Sequence, residues 1–184
     1  MNERDIIRTQ LATERIHAAQ VANACASIYG AAGAAEAHTP FRDASVEYLV
    51  WVLSRFEQRD ELLAELIERT APGSAERADL PGELATLAGH TGTSRQALTR
   101  LEAALAAAPQ TAGTTWQAFA QFFNTAWCPR REAIESQFSK LPRIAGWRAV
   151  CAIDADSILE ERARYARVAA QLPPGVTLVG AGQR

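Results

Sequence analysis

The side chains able to do chemistry stand where the sequence calls for apolar ones: Glu14, Asp60, Thr91, Ser94 and Arg130, with His17 and His90 beside them. His17 lies three residues after Glu14, so both project from one helical face. Acids brought into a protein interior must be paired or bound to a cation. Two chemistries satisfy that rule. In one, Glu14, His17, Asp60 and His90 form a carboxylate–imidazole set of the kind that helical bundles use for iron, giving a metal sensor or redox protein. In the other, Arg130, with Arg55 or Arg95, neutralises Glu14 and Asp60, while Thr91 and Ser94 complete a polar core layer. A guanidinium beside a metal site repels the ion, so the arginines favour the second chemistry. Cys128 precedes Pro129 and raises a third idea, a thiol activated by His17 or His90. An isolated cysteine on a helical face is expected to be a small buried apolar group instead.

Four amphipathic segments of similar length must bring these residues together. The first stripe is Ile7, Leu11, Glu14, Ala18, Val21, Cys25 and Ile28, in steps of three and four, with Asn2 as N-cap and Gly30 as stop. The second begins at Thr39-Pro40, a cap followed by the proline favoured at the first helical position. Its stripe is Val46, Leu49, Leu53, Phe56, Asp60, Leu63 and Ile67, and the Glu57–Glu68 charge run reads as its solvated face. The third follows Pro81 as Leu84, Leu87, Thr91, Ser94, Leu98, Leu101 and Leu105, weakened at Gly89 and Gly92 by roughly 1 kcal/mol each. Pro109 and Gly113 are expected to close it. The fourth starts at Thr114 or Thr115 and runs Trp116, Phe119, Phe123, Trp127, Arg130, Ile134, Phe138 and Leu141, with a kink at Pro129. Shorter helices are expected over Ile144–Ile153 and from the Ser157–Glu160 capping box to about Leu172.

The fold class predicted is all-α: an up-and-down four-helix bundle with one or two additional C-terminal helices. Residues 1–172 make the single domain and residues 173–184 a loose tail. The chain has 184 residues, enough for one buried core, and its net charge is only −2, so neither a nucleic-acid nor an anionic-membrane surface is expected. No apolar run approaches the ~20 residues of a membrane span, and the charged Met1–Asp5 start lacks a signal-peptide pattern. Cys25, Cys128 and Cys151 are odd in number and far apart, which argues against a disulfide framework and for a cytoplasmic protein with buried thiols.

The pattern resembles the hemerythrin-like (HHE cation-binding) four-helix bundle, whose helices bring histidines and a glutamate to a di-iron centre. The segment Leu11-Ala12-Thr13-Glu14-Arg15-Ile16-His17 is similar to that family's first ligand-bearing helix, and Ile144-Ala145-Gly146-Trp147 to the turn after its last. Tyr48 to Glu57 shares the hydrophobic rhythm but offers Arg55 and Phe56 where the family has histidine. The third segment has His90, with Ser94 in place of a second histidine, and Phe122 to Glu132 has none. The resemblance spans residues 5–150 and implies the fold with most iron ligands missing. A ferritin-like bundle is similar in outline but needs two Glu-x-x-His helices, and only Glu14–His17 fits.

Leu84 to Leu98 has the outline of a helix-turn-helix, a minor reading, since His90 and Thr91 replace its apolar residue and the second helix lacks a basic face. The aromatic residues Trp51, Trp116, Trp127, Trp147, Phe119 and Phe123 suit core packing better than a pocket for a flat ligand. Phe122 leaves the stripe and points to a wider buried face or a homodimer contact. The function predicted is therefore a non-catalytic hemerythrin-like bundle acting through binding or association, with itself as the expected partner. No cofactor is expected under that reading; iron belongs to the alternative. The sequence names no small-molecule ligand.

Overall fold

The computed structural model describes residues 3–30, 38–69, 92–138 and 153–178, and among them every regular element is helical. The first stripe forms as its spacing predicts: α1 spans Glu3–Tyr29, and Ile7, Leu11, Glu14, Ala18, Val21, Cys25 and Ile28 are all buried. α2 spans Thr39–Arg69 and buries two adjacent stripes. Leu49, Leu53, Phe56 and Asp60 form one, and Ser45, Tyr48, Val52 and Arg59 the other. The second exists because, among the described residues, α2 packs most extensively against α1, α3 (Thr93–Ala106) and α6 (Ala155–Ala170).

The third and fourth segments divide differently from the sequence expectation. α3 starts at Thr93, after Gly92 in the left-handed conformation at φ 80, so the helix boundary falls between Thr91 and Ser94. Residues 70–91, including Leu84, Leu87, His90 and Thr91, lie outside the described residues. Pro109 does not close a helix but opens one, α4 (Pro109–Phe122), because an absent N–H costs nothing at a first helical position. Gly113 sits inside α4 where a Cβ would lie 3.1 Å from the Gly30 carbonyl oxygen, and its bare backbone admits the end of α1.

A π-helical turn over Phe123–Trp127 joins α4 to α5 (Cys128–Phe138). The Cys128 N–H reaches back five residues to the Phe123 carbonyl, and the Asn124 amide donates to the Ala120 carbonyl and to Asn23 of α1. Such turns insert one residue into a helix. Pro129, which has no N–H, follows at once.

Paired residues give the directions. Along α1 and the α4–α5 rod, Tyr29 meets Trp116, Asn23 meets Asn124 and Arg15 meets Glu135, a descending series that marks opposite directions. The same holds for α2 and α3 through Asp60–Ser94 and Glu57–Arg95, and for α3 and the rod through Ser94–Trp127 and Arg100–Phe122. α6 crosses onto α1 and α2, with Val168 fully buried. Its capping box begins at Asp154 rather than Ser157: the Asp154 carboxylate accepts from the Ser157 N–H and the Asp154 N–H donates to the Ser157 hydroxyl. The tail expected to be loose from residue 173 packs down as far as Leu178, because Leu172, Val176 and Leu178 cover the core and Pro173 is buried. Among the described residues, no helix is long and apolar enough to cross a membrane.

Candidate functional site

Arginine meets the buried acids. Arg131 of α5 holds Asp60 of α2 by two parallel bonds, Nη1–Oδ1 at 2.6 Å and Nη2–Oδ2 at 3.0 Å, with both side chains buried. This fork is the geometry in which a guanidinium recognises a carboxylate best. Asp60 also accepts from the Gly92 N–H and the Ser94 hydroxyl, so a side chain of α2 caps the start of α3. Even so, burial outweighs the Arg131 charge and pushes the Asp60 carboxyl above its ordinary range.

Glu14, fully buried, accepts from Arg59 Nη1 at 2.6 Å and from the Gln10 amide at 3.2 Å. Phe56 lies between the two cations, its ring centre 4.8 Å from the Arg59 guanidinium carbon and 5.5 Å from that of Arg131. Trp127 packs edge-on against Phe56 at 5.1 Å and donates its indole N–H to the Ser94 hydroxyl at 3.2 Å. Arg15 forks onto Glu135 at 2.9 and 3.0 Å, and burial raises the Glu135 carboxyl despite that partner. Three acids thus face three guanidiniums across α1, α2 and α5.

The polar core layer predicted from sequence comprises Glu14, Asp60, Thr91, Ser94 and Arg130. Of these, Glu14, Asp60 and Ser94 are buried, and Thr91 lies outside the described residues. Arg130 does not pair with the acids; it is half-buried and donates to the Thr93 hydroxyl at 3.4 Å. The π-turn explains the exchange. One extra residue between Phe123 and Trp127 advances the inward face, so that Arg131 takes the place a regular helix would give Arg130. Exposed Arg95 pairs with half-buried Glu57 instead, and Arg55 stacks on Trp51 at 4.8 Å.

The proposed ligands Glu14, His17 and Asp60 face different partners, and His90 lies outside the described residues. His17 Nδ1 is 2.8 Å from Glu161 Oε1 of α6. Among the described residues, no group of three His, Cys, Asp or Glu side chains is placed to hold a metal ion. The donor set does not fit the di-iron centre that the resemblance implies: one imidazole is bonded to Glu161 and both neighbouring acids are bonded to arginine. Cys128 is half-buried, and burial pushes its thiol up to about 12, against the activated-thiol idea.

The Glu161 cluster escaped the sequence reading. Glu161 is fully buried, and its Oε1 accepts from Tyr48 at 2.9 Å as well as facing His17. Its signal was present: Ser157, Glu161 and Val168 make one inward stripe, and an acid in a buried stripe is the exception that marked Glu14 and Asp60.

Comparison with known proteins gives no match, whether to family models, to curated proteins or to solved structures.

Proposed function

We propose that the chain is a hemerythrin-like up-and-down four-helix bundle whose interior layer is closed by arginine in place of iron, and which acts by binding or association. The opposed directions of neighbouring helices support the bundle topology, and the Arg131–Asp60 fork carries the rest. The Arg131 fork, the Gly92 N–H and the Ser94 hydroxyl together occupy the acceptor sites of Asp60, and the guanidinium charge repels a cation. Glu14 meets the Arg59 guanidinium through one oxygen and the Gln10 amide through the other. The layer is therefore a staple between helices, not a reaction centre.

Elemental analysis of protein purified without chelator tests this reading. The expected content is below roughly a tenth of an ion per chain, since a bundle metal site would be filled on purification. Stoichiometric iron would overturn it. Association has less support at Phe122, the flank aromatic expected at a dimer contact, because the Arg100 guanidinium stacks over its ring at 4.5 Å. Sedimentation of the native protein at rising concentration reports self-association directly. The helix-turn-helix reading gains nothing, as Ser94 and Ala97 of its second helix are buried and Arg95 is tied to Glu57.

A further inference from the structure

Between α1, α2 and α6 one carboxylate is held very differently. Glu161 is fully buried, its Oε1 serves both the Tyr48 hydroxyl and His17 Nδ1, and its Oε2 is buried with no hydrogen-bond partner. Burying a carboxylate with one oxygen unserved works against stability, so the arrangement calls for another reason. His17 supplies it. An ionised carboxylate only accepts, so in the neutral ring the bond places the proton on Nδ1 and leaves a lone pair on Nε2. The ring is clamped face-to-face on Tyr165, with centroids 3.7 Å apart and planes 7° apart, and the Tyr165 hydroxyl is tied to Gln20. Among the described residues Nε2 has no hydrogen-bond partner, and the side chain is 23% exposed.

We infer that His17 is a nucleophilic imidazole that accepts acyl groups at Nε2 from activated esters, with Glu161 as its positioning residue and Tyr48 holding Glu161. The Nε2 lone pair forms a bond to the acyl carbon while the ester C–O bond breaks, and its electron pair leaves with the phenoxide or alkoxide. The ring now carries a positive charge, and its Nδ1 proton passes along the existing bond to Glu161 Oε1. That transfer gives a neutral acyl-imidazole and a neutral buried acid, removing the half-served charge. Water attack on the acyl carbon then returns the acid product and restores the proton to the ring. A carboxylate behind an imidazole fixes its tautomer and stabilises the charge that forms on the ring in nucleophilic catalysis; here the acyl group makes the ring N–H acidic enough to pass its proton on. A neutral acyl donor suits the site, because the buried Glu161 charge behind the ring disfavours an anionic one.

The test uses the full native chain and p-nitrophenyl acetate. Peptide mass mapping should find acetyl on His17 at least about tenfold faster than on His38, a histidine with no carboxylate partner among the described bonds. Glu161→Gln should bring His17 down to the rate of His38, and Tyr48→Phe should lower it by a smaller factor. Nitrogen NMR of the unmodified protein needs no substitution and stands if a variant fails to fold: it should place the His17 ring proton on Nδ1. A proton on Nε2 would overturn the proposal. Equal labelling of His17 and His38 in the native chain would do the same, as would a Glu161→Gln protein that labels as fast as the native one. These outcomes are independent of the metal content that tests the interior layer.

Discussion

Two buried acids, Asp60 and Glu161, are treated in opposite ways by the same fold. Asp60 meets a guanidinium fork, a backbone N–H and a hydroxyl, so both oxygens are served. Glu161 meets an imidazole and a phenol at one oxygen, and the other is left bare. Arginine is permanently charged and rigidly forked, so it ties helices together and resists exchange for another ligand. Imidazole gains and loses a proton at little cost, so a carboxylate behind it can shape its reactivity. Between them the two acids separate a structural use of buried charge from a chemical one.

The largest effect that can break this contrast is expected at Arg131. Arg131→Leu strands a buried carboxylate, and urea unfolding should show a loss of about 3–5 kcal/mol. Glu161→Gln removes a half-served charge and leaves no cation stranded, so the same experiment should show a change within about 1 kcal/mol in either direction. A loss at Glu161 equal to that at Arg131 would erase the distinction. Gly92→Ala sharpens the Asp60 side from the backbone: nothing obstructs the added Cβ, so the left-handed φ alone should cost about 1–2 kcal/mol. Trp127→Phe keeps the ring packed on Phe56 and deletes the indole bond to Ser94, for a loss of about 0.5–1.5 kcal/mol.

How far the sequence shows these features depends on the regularity of the helix involved. α1 is uninterrupted, and each member of its stripe, Glu14 included, is buried as the three-and-four spacing demands. α5 is not, because the π-turn shifts its phase by one residue and hands the role expected of Arg130 to Arg131. No local composition announces that turn, although Pro129 marks the place where hydrogen bonding must change. Arg59 was hidden by a different cause: α2 buries two stripes, and periodicity read for one face leaves the other unread. Ser157 was assigned as a cap when it is the third residue of a box begun by Asp154, since Asp and Ser both suit either position. Glu161 needs the tertiary contact with His17, 144 positions earlier, before its burial has a meaning.

The smallest predicted effects concern protons. Burial raises Asp60 from 3.8 and Glu135 from 4.5, so the folded chain binds these protons more tightly than the unfolded one. Their contribution to stability therefore grows as pH falls through the raised folded values towards 4.5 and 3.8. Asp154 has the opposite sign: the Ser157 N–H and hydroxyl lower it, so its contribution is present above 3.8 and disappears as pH falls through the lower folded value. Carboxyl-carbon NMR should find Asp60 titrating above 3.8 and Asp154 below it. The reverse order would contradict the assignment of burial to one and capping to the other.

The arginine staple is tested most directly by a double-mutant cycle on Asp60 and Arg131, unfolding the native chain, Asp60→Leu, Arg131→Leu and the pair in urea. The two single losses should exceed the loss in the double variant, with a coupling of about 1–3 kcal/mol, because removing both partners strands neither. Additive losses, with coupling below about 0.5 kcal/mol, would mean that the guanidinium does not neutralise this acid.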